Sequence, residues 1–447
     1  MKNIYKIPIA KNINKNKIVN VNVPGSKSIT NRALLIGAMA KGKSRLNGCL
    51  TSDDSMYFLE CLKTLGFPVN EYSDGKLGSN IEITGFGGDI PIKNTEIYVG
   101  SAGTAARFLV TMLAFSDGEY TVNSSEQMKK RPMQPLIDSL RDAGAIVQCL
   151  EEEGHFPLHI TGAKVNGEIP DTFTVNIDKS SQFLSAILIA AGTLHKPSVI
   201  NVSGSHGLSY VDLTVEMMRE FGIYVKKQIS NDNKISYIFS GKDIYKPINY
   251  DIEPDMSAAA YFFAIAALLG AKISVAGVKY KMLQGDTEFL KLLEKMGAEI
   301  DTYENSGDII VKGAGNGKLK GGFIVDMSAF SDQALTLAAI APFADAPITI
   351  KGIGHIRFQE CDRIKAISKN LAELGIMTDE KNDSIKIYPA MPTGGDIDTF
   401  DDHRVAMSFA ITGLRTENIR IINPECCKKT FGEYFDVLEN VVKDLCS

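Results

Sequence analysis

Five amphipathic segments of this 447-residue chain end in the same way, and the spacing of those ends limits what the chain can fold into. They read Leu62-Lys63-Thr64-Leu65-Gly66, Leu140-Arg141-Asp142-Ala143-Gly144, Met218-Arg219-Glu220-Phe221-Gly222, Leu293-Glu294-Lys295-Met296-Gly297 and Leu371-Ala372-Glu373-Leu374-Gly375. A glycine after a Leu- or Met-rich turn signals a helix C-terminus, because glycine accepts the left-handed conformation. The glycines recur every 75–78 residues. That period is too long for a small solenoid repeat and suits a unit of four to six elements. A general α/β protein with chance spacing is the alternative, and five glycines at four near-equal intervals weigh against it.

Each unit opens with an earlier helix, entered through a short turn near Ser28, Gly103, Ser180, Asp255, Asp332 or Asp402. The sixth unit ends the chain with Tyr434–Val442 and lacks the glycine. Strand-like stretches such as Ile309–Lys312 and Ile348–Lys351 lie between helices, so each unit reads as βαβαββ. The opening helices, Ala258–Leu269 and Ala334–Ala341 for instance, are apolar nearly all round, and a helix of that kind is buried. The expected fold is α/β: two barrel-like domains, each of three βαβαββ units with buried helices and strands outside. The break is expected near Asn249–Pro254. Residues 23–250 then form the N-terminal three-unit domain. Residues 1–22 and 251–447 form the other, with a strand of about residues 4–22 completing it. A two-domain enzyme commonly binds its ligand in the cleft between domains, and the active site is expected there.

Composition narrows the partners. Hydrophobic residues make up 44% of the chain and the net charge is −5, which fits a packed globule and argues against a nucleic-acid coat. The seven cysteines (Cys49, Cys61, Cys149, Cys361, Cys426, Cys427 and Cys446) form no CxxC pair and no zinc-like Cys/His spacing. They read as reduced thiols of a cytosolic protein with no metal. The Lys/Asn-rich N-terminus has no apolar signal-like core, and no apolar run is long enough to span a bilayer. A cytoplasmic protein without membrane or nucleic-acid partners, acting as a monomer, is the expectation.

The helix openings carry the chemistry. In Pro24-Gly25-Ser26-Lys27-Ser28-Ile29-Thr30-Asn31-Arg32, Ser28 and Arg32 share a helix face and Lys27 adds a point charge beside free N–H groups. That suits an anion, although a capped helix with surface Lys and Arg reads equally well; the Walker A spacing is absent. Gly100-Ser101-Ala102-Gly103-Thr104-Ala105-Ala106-Arg107 leaves backbone N–H groups uncovered around Gly103. Arg131 is restricted by Pro132 and sits on a turn. Ser180, Ser181 and Gln182 suit a polar ligand or a plain N-cap. Asp332, between Phe330 and an apolar helix, is either a cap or a base. Glu360 and Arg363 form an i, i+3 pair of the sort commonly found on surfaces. His403 and Arg404 follow Asp402 at the sixth opening, and Lys429 is either site-facing or solvent-facing. Together Lys27, Arg32, Arg131, Arg363, Arg404 and Lys429 occupy equivalent or nearby places in the repeat. Six converging cations call for two acidic substrates, at least one of them phosphorylated.

At these motifs the chain closely resembles the 5-enolpyruvylshikimate-3-phosphate synthase (3-phosphoshikimate 1-carboxyvinyltransferase) family of enolpyruvyl transferases. GSKSxxNRAL, AGTAxR, RPM, SSQF, SDxA, ExDR, DHRxAM and KTF occur in the family's order from about Pro24 to Phe435. The resemblance implies two inverted α/β domains of three βαβαββ units each. It implies transfer of the enolpyruvyl group of phosphoenolpyruvate to the 5-hydroxyl of shikimate 3-phosphate, releasing phosphate, with no cofactor; this step leads to chorismate and the aromatic amino acids. By resemblance, Lys27 serves both substrates, and Ser28, Arg32, Ser180, Ser181 and Gln182 hold shikimate 3-phosphate. Gly103, Arg131, Gln182, Arg363, Arg404 and Lys429 face phosphoenolpyruvate. Asp332 binds the shikimate hydroxyls and accepts the proton, and Glu360, Lys27 and His403 are candidates for proton handling.

Four positions depart from the family pattern. Gln359 stands where Lys precedes the Glu of KExDR, His355 replaces a polar amide, Gly207-Leu208-Ser209-Tyr210 replaces SxPY with Ser205 or Ser209 nearby, and Phe108 follows Arg107 where Pro is common. They bear on substrate affinity and on the response to glyphosate. Two alternatives follow: a UDP-N-acetylglucosamine enolpyruvyl transferase, which shares the fold but lacks SSQ and DHR in this form, and a non-catalytic anion-binding relative, which Gln359 keeps open.

Overall fold

All five repeat glycines adopt the left-handed backbone, with φ between 75° and 102°. They follow the helices Asp53–Thr64, Gln134–Asp142, Leu208–Glu220, Glu288–Lys295 and Arg363–Glu373. In each, the glycine N–H and the next N–H turn back onto carbonyls of the last turn; Gly66 N donates to Lys63 O (2.9 Å) and Phe67 N to Leu62 O (3.0 Å). This paired closure satisfies carbonyls that a helix end leaves open, and it buries the apolar residue that follows, such as Phe67 or Ile223.

The structure, a computed structural model, describes residues 3–72, 78–167, 169–204, 207–314 and 317–447. The chain divides into two compact units, Gly25–Ile252 and Met1–Pro24 with Glu253–Ser447. In the first unit three four-stranded sheets share one plan. Strand Asn94–Tyr98 runs parallel to Glu119–Asn123, which pairs antiparallel with Leu158–Thr161, and Ile146–Cys149 closes the edge. Thr172–Asn176, Ser198–Ser203, Ile235–Phe239 and Val225–Ile229 repeat that order. In the remaining sheet the leading strand comes from the far end of the unit, where Asn249–Asp251 lies parallel to Lys41–Cys49.

The second unit follows the same plan. Its first sheet borrows Ile18–Val21, parallel to Lys272–Val275. Phe323–Asp326, Ile348–Lys351, Ser384–Ile387 and Thr378–Glu380 form the next. The last is three-stranded: Gly395–Asp398 runs parallel to Ile419–Ile422, and Ile4–Lys6 pairs antiparallel where the other sheets have a hairpin. The sixth repeat is therefore incomplete, and the single strand expected over about residues 4–22 is two strands in two sheets. Between them Asn12 takes a positive φ (58°) in a stretch without ladder pairing.

Six helices fill the interiors: α1 (Lys27–Met39), α2 (Gly103–Ala114), α3 (Gln182–Ala191), α4 (Met256–Leu269), α5 (Ala334–Ile340) and α6 (His403–Gly413). Every residue of α4 from Met256 to Leu268 is buried. α5 is shorter than its sequence suggests. It is preceded by the 3-10 turn Ser331–Gln333 and passes into another, Ala341–Phe343, at Pro342, which has no N–H to continue the α ladder. Among the described residues no helix is long and apolar enough to cross a membrane.

The entry to α1 is fixed by backbone contact. A Cβ on Gly25 would stand 2.0 Å from the carbonyl oxygen of Gly48. Gly25→Ala is expected to cost about 1–3 kcal/mol through overpacking, read as a lower urea midpoint at unchanged slope. An unaltered midpoint would show that the Gly25–Gly48 approach does not hold the helix entry.

Candidate active site

Asp402 organises the candidate residues of the second unit. It caps α6, accepting from Arg404 N at 2.9 Å, and is fully buried. A buried carboxylate needs a counter-charge, and Arg363 supplies it: Nε donates to Asp402 Oδ2 at 2.7 Å and Nη2 to Oδ1 at 3.3 Å. Arg363 opens its own helix, which Asp362 caps by accepting from Lys365 N at 3.0 Å. Its guanidinium also reaches Glu360 Oε2 (Nη2, 2.9 Å), Asp332 Oδ1 (Nη1, 3.1 Å) and the Gln359 amide oxygen. The Glu360–Arg363 pair is thus buried, unlike the surface pair its spacing suggested.

Asp332 accepts from a second guanidinium, Arg404 Nη2, at 2.8 Å on its other oxygen. It lies inside the 3-10 turn before α5, one residue ahead of Gln333, the N-cap position of that helix. Glu360 extends the cluster to Lys429, whose Nζ lies 3.5 Å from Oε1; Lys429 is buried and not solvent-facing. His403 is buried with Nδ1 3.9 Å from Asp402 Oδ1. His355 Nε2 lies 2.7 Å from Ser331 Oγ, next to Asp332. Three cations (Arg363, Arg404, Lys429) therefore meet three carboxylates (Asp332, Glu360, Asp402) in one connected network.

Burial alone would pull both arginines down. For Arg363 the Asp402, Glu360 and Asp332 charges more than offset it, and for Arg404 the Asp332 charge leads, so both are held above the ordinary arginine range. Asp286 lies behind this network, accepting from Gln333 Nε2 at 3.0 Å. Burial first, and then the Asp332 charge, push its carboxyl up to about 6, against the pull of Arg404 and Gln333.

The first unit gathers its candidates at the starts of α1, α2 and α3. Lys27 is the first residue of α1, and its Nζ lies 3.6 Å from the buried Asp54 Oδ2. Ser28 offers its carbonyl to Arg32 Nη1 at 3.0 Å. Arg32 is turned inward: it donates to Thr214 Oγ1 (2.7 Å), Ser185 Oγ (3.2 Å) and Tyr210 O (3.1 Å), and lies 5.5 Å from the Phe108 ring centre. Burial lowers it to about 10.

At α2 a Cβ on Gly103 would meet Arg131 Nη1 at 2.2 Å and Arg107 Nη1 at 2.8 Å, so two guanidinium groups converge on this glycine. Arg107 also donates to Gly103 O (2.8 Å) and Gln182 Oε1 (3.0 Å), which joins α2 to α3. Ser180 Oγ accepts from Gln182 N at 3.2 Å. Ser181 lies against Gly207, which has φ 64° and would place a Cβ 2.7 Å from Ser181 Oγ. Gly207 thus starts the helix carrying Ser209 where a larger residue would strike Ser181. Ser205 lies outside the described residues.

Sequence reasoning missed the counter-ion roles of Asp54 and Asp402 and the bridging role of Arg107. The Ser52-Asp53-Asp54-Ser55 capping box and the four-residue step from Gly103 to Arg107 were the available signals.

The family model described as EPSP synthase (3-phosphoshikimate 1-carboxyvinyltransferase) matches residues 13–438. The chain is 41% identical over 427 residues to 3-phosphoshikimate 1-carboxyvinyltransferase 2 of Halalkalibacterium halodurans, covering 94% of this chain and 91% of that one. It is 39% identical over 416 residues to the 3-phosphoshikimate 1-carboxyvinyltransferase of a Nostoc species, covering 93% and 94%. Among solved structures, EPSP synthase from Acinetobacter baumannii superposes with a TM-score of 0.78 at 26% identity, over 99% of this chain and 98% of that one. The enolpyruvyl transferase NikO from Streptomyces tendae superposes with a TM-score of 0.71 at 15% identity, over 97% and 96%, a likeness of fold. The fold is the two-domain enolpyruvyl transferase fold.

Two outcomes test the network. Asp402→Ala strands Arg363 without its most buried partner and is expected to cost about 3–5 kcal/mol in chemical unfolding; a loss within 1 kcal/mol would remove Asp402 from its organising place. Asp286 has a raised folded pKa, so its contribution to stability is full below the ordinary value of 3.8 and is lost as pH rises through about 6. Asp286→Asn is expected to gain stability relative to the native chain as pH rises from about 4 to 7, reaching about 1–3 kcal/mol. A mutant-minus-native difference that stays flat in unfolding from pH 4 to 8 would count against a neutral buried Asp286.

Proposed function

The chain belongs to the EPSP synthase family, and we propose that it joins phosphoenolpyruvate to the 5-hydroxyl of shikimate 3-phosphate with release of phosphate. The observation that supports this is the network in which Asp332 pairs with Arg404 and shares Arg363 with Glu360 and Asp402; we take Asp332 as the base. The two guanidinium groups and Lys429 suit the carboxylate and phosphate of phosphoenolpyruvate. In the first unit, Gly103, Arg107 and Arg131 suit a further anionic group, and Lys27, Ser28, Arg32, Ser180, Ser181 and Gln182 suit a phosphorylated, hydroxylated ring.

The reaction begins with a proton delivered to the methylene carbon of phosphoenolpyruvate, which makes C2 electrophilic. The 5-hydroxyl attacks C2 while Asp332 takes its proton. Glu360, Lys27 and His403 are the groups for the proton at the methylene carbon; Glu360 lies between Arg363 and Lys429, which disperse its charge. Return of a proton to the departing phosphate and loss of one from the former methylene carbon collapse the tetrahedral adduct to product and phosphate. Positioned acids and bases of this kind contribute roughly 10²–10⁴-fold each, and fixed cations stabilise the charge that builds on the departing group. We place the chain in the cytoplasm, since seven free thiols suit a reducing compartment, and take it to act as a monomer, which sedimentation equilibrium tests.

Release of inorganic phosphate from phosphoenolpyruvate should require shikimate 3-phosphate and not occur with UDP-N-acetylglucosamine. Asp332→Asn should keep native unfolding and lower kcat by about 10²–10⁴-fold. Phosphate release only with the UDP-sugar would transfer the chain to the alternative acceptor, and near-native kcat in Asp332→Asn would remove Asp332 as the base.

A further inference from the structure

An arginine has five N–H donors, and every donor of Arg363 is matched. Nε goes to Asp402, Nη1 to Asp332 and Gln359, and Nη2 to Glu360 and Asp402. An incoming carboxylate therefore finds no vacant donor on Arg363 and binds it only by displacing a resident acceptor. The residents are not equally displaceable. Asp402 is fully buried and fixed as the cap of α6, and Glu360 is shared with Lys429. Asp332 is the most exposed of the three acids, at 21%. Its two oxygens each take one guanidinium, Oδ1 from Arg363 (3.1 Å) and Oδ2 from Arg404 (2.8 Å). That two-point grip is the one a substrate carboxylate would need from the same pair.

We propose that Asp332 is an internal stand-in for the carboxylate of the enolpyruvyl donor, and that the donor arms the base by exchanging with it on Arg363 and Arg404. The exchange rests on the reaction proposed above. Paired with both arginines, Asp332 neutralises them and is restrained by them. When the donor carboxylate takes both guanidinium groups, the network keeps its charge balance and Asp332 gives up two cationic partners. A carboxylate relieved of guanidinium partners is the stronger base. Its oxygens then turn to the acceptor hydroxyl. The base is thereby restrained until the molecule it must act on is in place.

The exchange makes an unusual demand. Removing a residue of a binding site ordinarily weakens binding; here removing the Asp332 charge should strengthen it, because the donor no longer competes with a tethered carboxylate. Isothermal titration of the full chain with phosphoenolpyruvate alone, without shikimate 3-phosphate, reads this directly. Asp332→Asn and Asp332→Ala are both expected to bind about tenfold tighter than the native chain, the size of a typical coupling between competing sites. Unchanged or weaker binding in variants that keep the native unfolding transition overturns the exchange; two side chains of different size guard against one of them failing to fold. Phosphate release by the native chain separates this from the reaction itself. Turnover without tightening discards the exchange and leaves the reaction standing, and no native turnover removes the reaction and the exchange with it.

Discussion

A helix that is apolar on all sides can be polar only at its ends, and the chemistry of this protein follows from that constraint. α4 has no polar face, and α1, α2, α3, α5 and α6 are buried along nearly their whole length. Their first turns are where free N–H groups, side-chain oxygens and guanidinium groups can meet. Repetition of one unit then supplies several such ends, each built around a different residue: Lys27 at α1, Gly103 at α2, Gln182 at α3, Asp332 before α5 and His403 at α6. The glycine-closed second helices make the repetition possible, since each reverses the chain sharply enough for the next strand to begin.

The two units treat their buried cations in opposite ways. Arg363 has a carboxylate on each of its three nitrogens, and the network around it balances three cations with three carboxylates. Arg32 has a hydroxyl pair and two carbonyls and no acid, so burial pulls it down to about 10. Arg107 and Arg131 crowd the same glycine. An anion near Arg32 adds counter-charge, whereas one near Arg363 must exchange for counter-charge already present. A single count of cations from the sequence treats these situations as equal, and burial and partner chemistry separate them.

The parts of this structure legible in the sequence are those set locally. The left-handed glycines, the strands Ile309–Lys312 and Ile348–Lys351, and the wholly buried α4 depend on neighbouring residues and a period, and they stand where the residues point. Features set by distant partners were not legible. Asn249–Asp251 leads a sheet whose other strands are remote in sequence, and no local pattern names that pairing. The acids behaved likewise. Glu360 and Arg363 have the spacing of a solvent-facing pair, and only Asp402, thirty-nine residues on, makes them interior. The motifs located the candidate residues, and tertiary contact decided which acid answers which base.

Gln359 shows how much turns on one such contact. A lysine at this position would bring a fourth cation to a network of three cations and three carboxylates, and it could only donate. The glutamine oxygen accepts from Arg363, completing its set of acceptors without adding charge. The guanidinium is then held in its plane by neutral and acidic partners together. Loss of the lysine therefore does not leave a gap in the wall; it changes the kind of wall. With lysine, affinity for an anion would come from surplus charge. With glutamine, it must come from geometry and from exchange with Asp332, and a ligand that cannot grip both Arg363 and Arg404 has little to offer in return for the carboxylate it displaces.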